Sequence, residues 1–129
     1  MNKQTIVFFD RVPSKKNSKQ VVCRGKFPML LPSKSYKEWH TGMMPLLKQY
    51  KKMNAPLEVE YIFYAKDKRD FDLSNKIESI NDILVDAGII EDDAWRVLRK
   101  YRNAECLGVD KDKPQCEVTL WETNANHVE

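Results

Sequence analysis

At 129 residues the chain suits one domain and leaves little room for a second. Hydrophobic residues make up 42% and charged residues 32%, which excludes wholesale disorder, and no apolar run approaches the ~20 residues of a bilayer-spanning helix. The formal net charge is only +3, and the apolar stretch in MNKQTIVFFDRVP is too short for a signal peptide, so the expected location is the cytoplasm.

Residues 4–12, QTIVFFDRV, read as a strand of β-branched and aromatic residues stopped by Pro13. A polar basic loop, PSKKNSK, follows. Residues 20–31 predict a ragged hairpin turning at Arg24–Gly25, kept to an edge by Pro28 and Pro32. From Ser33 a helix is expected, capped by Ser33 or Ser35, with Tyr36, Trp39, Met43, Leu46, Leu47 and Tyr50 at three- and four-residue spacing. Pro45 should kink or divide it. Residues 57–66, LEVEYIFYAK, alternate strictly and then turn apolar on both faces, the mark of a central strand.

The turn KDKRDFD leads to a second helix over 73–87. Leu73, Ile77, Ile80, Leu84 and Ala87 form its core face, Asp72 its N-cap and Gly88 its C′ stop. A strand is expected over 95–104, a turn at CLGVDKDKP, and a last strand over 115–122. Residues 1–123 thus predict a single α+β domain, a mixed β-sheet covered by two main helices, with 124–129 as a frayed tail.

The cysteines and histidines exclude several chemistries. Cys23, Cys106 and Cys116 are odd in number and lack metal-finger spacing, which argues against a disulfide framework or zinc ribbon. His40 and His127 form no metal motif.

The small net charge conceals an asymmetry. Residues 1–52 carry a balance of +10 and residues 53–129 one of −7. From Asp70 to Asp93 there are eight acids and one base, Lys76. Carboxylates brought together repel unless a cation neutralises them, and oxygen-only ligands favour Mg²⁺ or Mn²⁺. Asp70 and Asp72, two apart at a strand exit, point the same way if the strand persists. Asp92 and Asp93 follow a helix of about 20 Å and rejoin them only if the return strand or a partner subunit runs beside that exit. The plainer reading makes Asp72 a cap, Asp92 and Asp93 loop acids, and Glu78, Asp82 and Asp86 a solvated helix face.

Basic residues supply the complementary half. Lys15, Lys16, Asn17 and Lys19 form a loop suited to phosphate contacts, and Lys68 and Arg69 abut Asp70. Lys48, Lys51 and Lys52 read as a solvated face. For Trp39, Tyr36, Trp121 and Trp95 packing is the expected role, although Trp95 sits close to Asp93.

Three segments carry a resemblance: VPSKKNSK after the first strand, PSKSYKEWH at the first helix, and above all RDFDLSNKIESINDILVDAGIIEDDAW. In that order they resemble the RusA-type Holliday junction resolvases of bacteria and their phages. The resemblance implies a RusA-like α+β fold and a homodimeric endonuclease that cuts four-way DNA junctions with Mg²⁺ or Mn²⁺. It implies Asp70, Asp72 and Asp93 as metal-holding catalytic carboxylates, with Asp92 as the adjacent alternative. The loop from Lys15 through Asn17 to Lys19 takes the DNA-contacting role. The segment DLSN departs from the family's direct Asp-Asn. Glu78 then falls at the place of a functional lysine, a role open to Lys76 if the helix start shifts. Two other readings remain: a non-catalytic branched-DNA-binding protein, and a metal-dependent nucleotide phosphohydrolase. The second is weakened by the lack of a Gly-rich phosphate loop.

Overall fold

The computed structural model describes residues 2–13, 19–24, 27–32, 34–113 and 115–123, with the strands at 19–24 and 27–32 described through their backbone. In chain order the elements are β1 (Lys3–Phe9), β2 (Lys19–Arg24), β3 (Phe27–Pro32), α1 (Lys34–Leu47), β4 (Leu57–Ala65), α2 (Leu73–Asp86), β5 (Leu98–Val109) and β6 (Gln115–Glu122). Four strands form one sheet in the order β1-β6-β4-β5, antiparallel except for the β4–β5 pair. This is a small α+β domain with a mixed sheet and two helices. The expected tail at 124–129 lies outside the described residues.

Alternation in β4 places Leu57, Val59, Tyr61 and Phe63 on one buried face. Phe63 and Phe8 both stand opposite Cys116, so Ile6 and Phe8 share that face with β4 and β6. Trp39 of α1 packs on Phe8, with ring centroids 6.0 Å apart, and Asn81 of α2 bonds the Tyr61 hydroxyl. Both helices therefore cover the same side of the sheet. They close a core with Met43, Leu47, Ile80, Ile83 and Leu84. The helices are joined by His40 Nε2 and Asp86 Oδ2 at 2.8 Å.

The hairpin of β2 and β3 forms a two-stranded sheet, in which both strands are edges, as Pro28 and Pro32 require. Three expectations need correction. β1 ends at Phe9, not residue 12, because Asp10 takes a positive φ of 65°, a conformation Asp tolerates, and turns the chain. Pro45 does not divide α1, because it lies in the last turn and only two residues of the helix, Leu46 and Leu47, follow it. The strand expected over 95–104 is β5, Leu98–Val109, which absorbs CLGV, read from sequence as a turn. Ladder pairing with β4 as far as Ala65↔Val109 overrides weak local propensity, with register shifts at three points.

Strand directions decide where the loops meet. β1, β4 and β5 all run the same way, so their carboxyl ends share one end of the sheet. Open sheets commonly bind ligands beyond strand carboxyl ends. Here that end collects residues 10–13, 66–72 and the start of α2.

Candidate functional site

Helix α2 starts at this end, and its first turns carry an unusual buried polar set: Asn75, Lys76 and Ser79. Lys76 is only 4% exposed, although the expected core face did not include it. Its ammonium donates to the main-chain oxygen of Val12 and lies 4.7 Å over the Phe71 ring. Ser79 Oγ donates to the Pro13 carbonyl at 2.6 Å. The strand-exit segment 11–13 is thus bound along the face of α2. Burial, then the nearby Arg11 and Arg69 cations, lower the Lys76 pKa to about 8, against the opposing pull of Asp67. A buried amine titrating this low beside a cleft is a common signature of a functional position.

Two adjoining recesses open here. The first is lined by Arg11, Lys66, Asp67, Arg69, Phe71 and Lys76 among others. The second runs from Asp67, Lys68, Arg69, Asp70 and Phe71 across to Cys106, Gly108 and Val109 of β5. Asp67, Arg69 and Phe71 line both. Lys76 faces the first and Asp70 the second.

Asp67 is a residue that sequence reasoning missed. Its carboxylate clasps Arg69 through Nε at 3.0 Å and a terminal nitrogen at 2.9 Å, and accepts the Arg69 backbone N–H at 3.0 Å. These bonds hold its pKa down to about 2. Arg69 is therefore oriented in advance, while Lys68 stands exposed beside it. Arg11, also missed, lines the recess because Asp10 turns the chain there. Asp67 reaches Arg69 locally, two residues away in the same turn, whereas Arg11 arrives only because β1 runs beside β6 in the same direction as β4.

Asp70 and Asp72 are exposed. Asp72 does stand at the N-cap, with φ −86° and ψ 122°, but its side chain makes no cap bond to the helix. Instead Asp72 Oδ2 accepts from Asn75 Nδ2 at 3.2 Å. The expected side-chain cap is therefore not made, and the Asp72 carbonyl accepts the Lys76 N–H at 3.3 Å as the first bond of the helix. Its carboxylate still has lone pairs to offer another partner.

Asp92 and Asp93 are not gathered with that pair. β5 runs parallel to β4, and Leu98 pairs with Leu57, so the segment before β5 lies at the opposite end of the sheet. Helix α2, 14 residues and so about 20 Å, separates the two ends. Asp93 is surrounded differently: burial, Asp92 and then Asp82 raise its pKa. Among the described residues, no three His, Cys, Asp or Glu side chains come close enough to hold a metal. The four-carboxylate set expected from sequence is not assembled within one chain.

Glu78 is exposed on α2, and Lys76 takes the buried position. Lys19 opens β2, while Lys15, Lys16 and Asn17 lie outside the described residues. Trp39 and Tyr36 pack as expected, but Trp95 does not, being 65% exposed. Among the described residues no helix is long and apolar enough to cross a membrane. Compared with known proteins, the chain matches no family model and no curated protein.

Proposed function

We propose that the chain is a divalent-metal-dependent, structure-selective endonuclease of the RusA type, hydrolysing phosphodiesters in branched DNA. The observation that carries this reading is that the recess of Asp70 adjoins the recess of Arg11, Lys66, Arg69 and buried Lys76 at one end of the sheet, with Asp72 two residues on from Asp70. Mg²⁺ is commonly held by one or two carboxylates, with water and substrate phosphate filling the remaining positions. Exposed Asp70 and Asp72 fit that donor set. When bound, the cation supplies Lewis acidity at the scissile phosphate. The chain's own residues do the rest. Arg69, fixed by Asp67, grips a phosphate oxygen. Lys76 presents a cation, or near pH 8 a partly neutral amine, at the same recess. Lys68 extends the phosphate track, and Lys15, Lys16, Asn17 and Lys19 supply further phosphate contacts.

A homodimer is part of this reading. Among the described residues the outer edge of β5 has no strand partner, whereas Gln4 ties the β1 edge to Lys51 and the Tyr50 hydroxyl accepts the Val7 N–H at 3.3 Å. Antiparallel pairing of β5 with its copy, about a two-fold near mid-strand, would set Leu98 of one subunit by Val109 of the other. Val109 borders the Asp70 recess. The partner's Asp93 would then approach Asp70 and Asp72, completing the carboxylate set between subunits. Two such sites suit the two-fold symmetry of a four-way junction.

The test is cleavage of a four-way junction in Mg²⁺, Mn²⁺ and EDTA by the wild-type chain and Asp70→Asn. Paired nicks that need the metal and vanish in the variant are expected. Binding without cutting by both proteins would leave a junction-binding protein, and release of phosphate from nucleotides with intact DNA would favour a phosphohydrolase.

A further inference from the structure

Trp95 is the most open of the exposed large hydrophobic side chains described, at 65%. Its turn is held from both sides. Val97 and Leu98 are buried and their N–H groups donate to the Ala94 carbonyl at 2.9 and 3.0 Å, and the Val97 carbonyl accepts the Leu57 N–H at 2.7 Å. Upstream, Ile89 and Ile90 are buried and the Ile89 carbonyl accepts the Met53 N–H at 2.7 Å. A pinned backbone therefore presents an indole to solvent. Two guanidiniums attend it, Arg99 at 5.4 Å and Arg96 at 5.7 Å from the ring centroid, and both arginines are exposed.

Both guanidiniums lie over the ring as cation–π partners, and as exposed side chains they can swing from the indole to the phosphates while a nucleobase takes their place on its face, because bases stack on indole and guanidiniums pair with the backbone on either side. A base within a duplex is already stacked on both faces. The available bases are those unstacked in a single strand or at a branch point. We infer that Trp95, with Arg96 and Arg99, is a stacking site for an unstacked DNA base. This rests on the proposed endonuclease reading for its setting at a branch point, where Trp95 follows Asp93 by two residues. The stacking itself is independent of cleavage.

The test measures binding of the full-length chain to labelled oligo-dT, a four-way junction and a linear duplex by fluorescence anisotropy over a salt series. Trp95→Ala should weaken single-strand and junction binding about tenfold and duplex binding less than about twofold, with Trp95→Phe close to wild type. Arg96→Gln and Arg99→Gln should each reduce the salt slope on single strands by about 0.7. Equal binding of oligo-dT by wild type and Trp95→Ala overturns the inference, as does a wild-type chain that binds neither oligo-dT nor the junction. A Trp95→Ala chain that sediments as a monomer and loses duplex and junction binding equally assigns the ring to a subunit contact and also overturns it. Selective single-strand loss in a chain that cuts no junction keeps the stacking site and sinks the nuclease. Junction cutting with Trp95-independent binding does the reverse.

Discussion

The Lys76 ammonium donates to the main-chain carbonyl of Val12, 64 residues earlier in the chain. One bond thus joins the exit of β1 to the first turn of α2, and it does so with a charge that burial disfavours. Lys76 is where fold and candidate chemistry meet.

That burial has a pH signature. The folded-state pKa is depressed from 10.5 to about 8, so the unfolded chain holds the proton more tightly between those values. Folding stability contributed by this group is therefore lowest below about pH 8 and rises as pH climbs toward 10.5, by no more than about 3 kcal/mol. Burial raises the pKa of the Cys116 thiol and the Tyr36 and Tyr61 hydroxyls, which opposes this rise at the alkaline end, so the contribution is read as a difference between proteins. From pH 7 to 10.5 the urea midpoint of the wild type should rise relative to that of Lys76→Met, and Lys76→Met should lose junction cleavage.

The separation of Asp93 from Asp70 within one chain gives a complementation experiment. On the proposed dimer, Asp70→Asn and Asp93→Asn should each be inactive alone. Mixed after co-refolding, half of each heterodimer's sites would combine two wild-type carboxylates, and single nicks should reappear. If the carboxylates instead work within one chain, every site in the mixture carries one substitution and no nicking returns. Gel analysis of the nicked junction reads the result directly.

Asp67→Asn should release Arg69 from its clasp. Because the pair is exposed, solvent screens it and the change in stability should be small. Cleavage should nonetheless fall about tenfold, since Arg69 loses the preset geometry that lets it meet phosphate without an ordering cost. Parallel melting curves and single-turnover cleavage rates separate the two effects.

The Tyr61 hydroxyl donates to Asn81 Oδ1 at 2.5 Å, and Asn81 Nδ2 donates to the Tyr101 hydroxyl at 3.1 Å. The Asn81 side chain is buried between helix and sheet. Tyr61→Phe leaves its amide oxygen without that donor and should cost about 1–3 kcal/mol in urea unfolding. Replacing Tyr61 with Phe and Asn81 with Leu together should recover part of the loss, because no buried polar atom of that pair is then stranded.

Much of the fold was legible locally. The alternation of β4 identified a central strand, the spacing of Leu73, Ile77, Ile80 and Leu84 a helix, and Gly88, at φ 74°, its stop. β5 was misplaced because its last third, CLGV, has little strand character and is held by pairing with β4. Trp95 was expected to pack because large aromatics usually do. Nothing local distinguishes a ring that a turn directs outward.

The sequence by itself determined which side chains exist to do chemistry: a carboxylate pair at a strand exit, a second pair beyond a helix, and a basic N-terminal half. It determined most helices and strands too, since periodicity is a property of neighbours along the chain. Only the tertiary structure decided who meets whom. The parallel pairing of β5 with β4 sends Asp92 and Asp93 to the far end of the sheet, and the shared direction of β1 and β4 brings Arg11 to Asp67. Strand direction depends on contacts between segments tens of residues apart, which no local pattern encodes. The same long-range packing buries Lys76, turning an ordinary surface-type residue into one that titrates near pH 8.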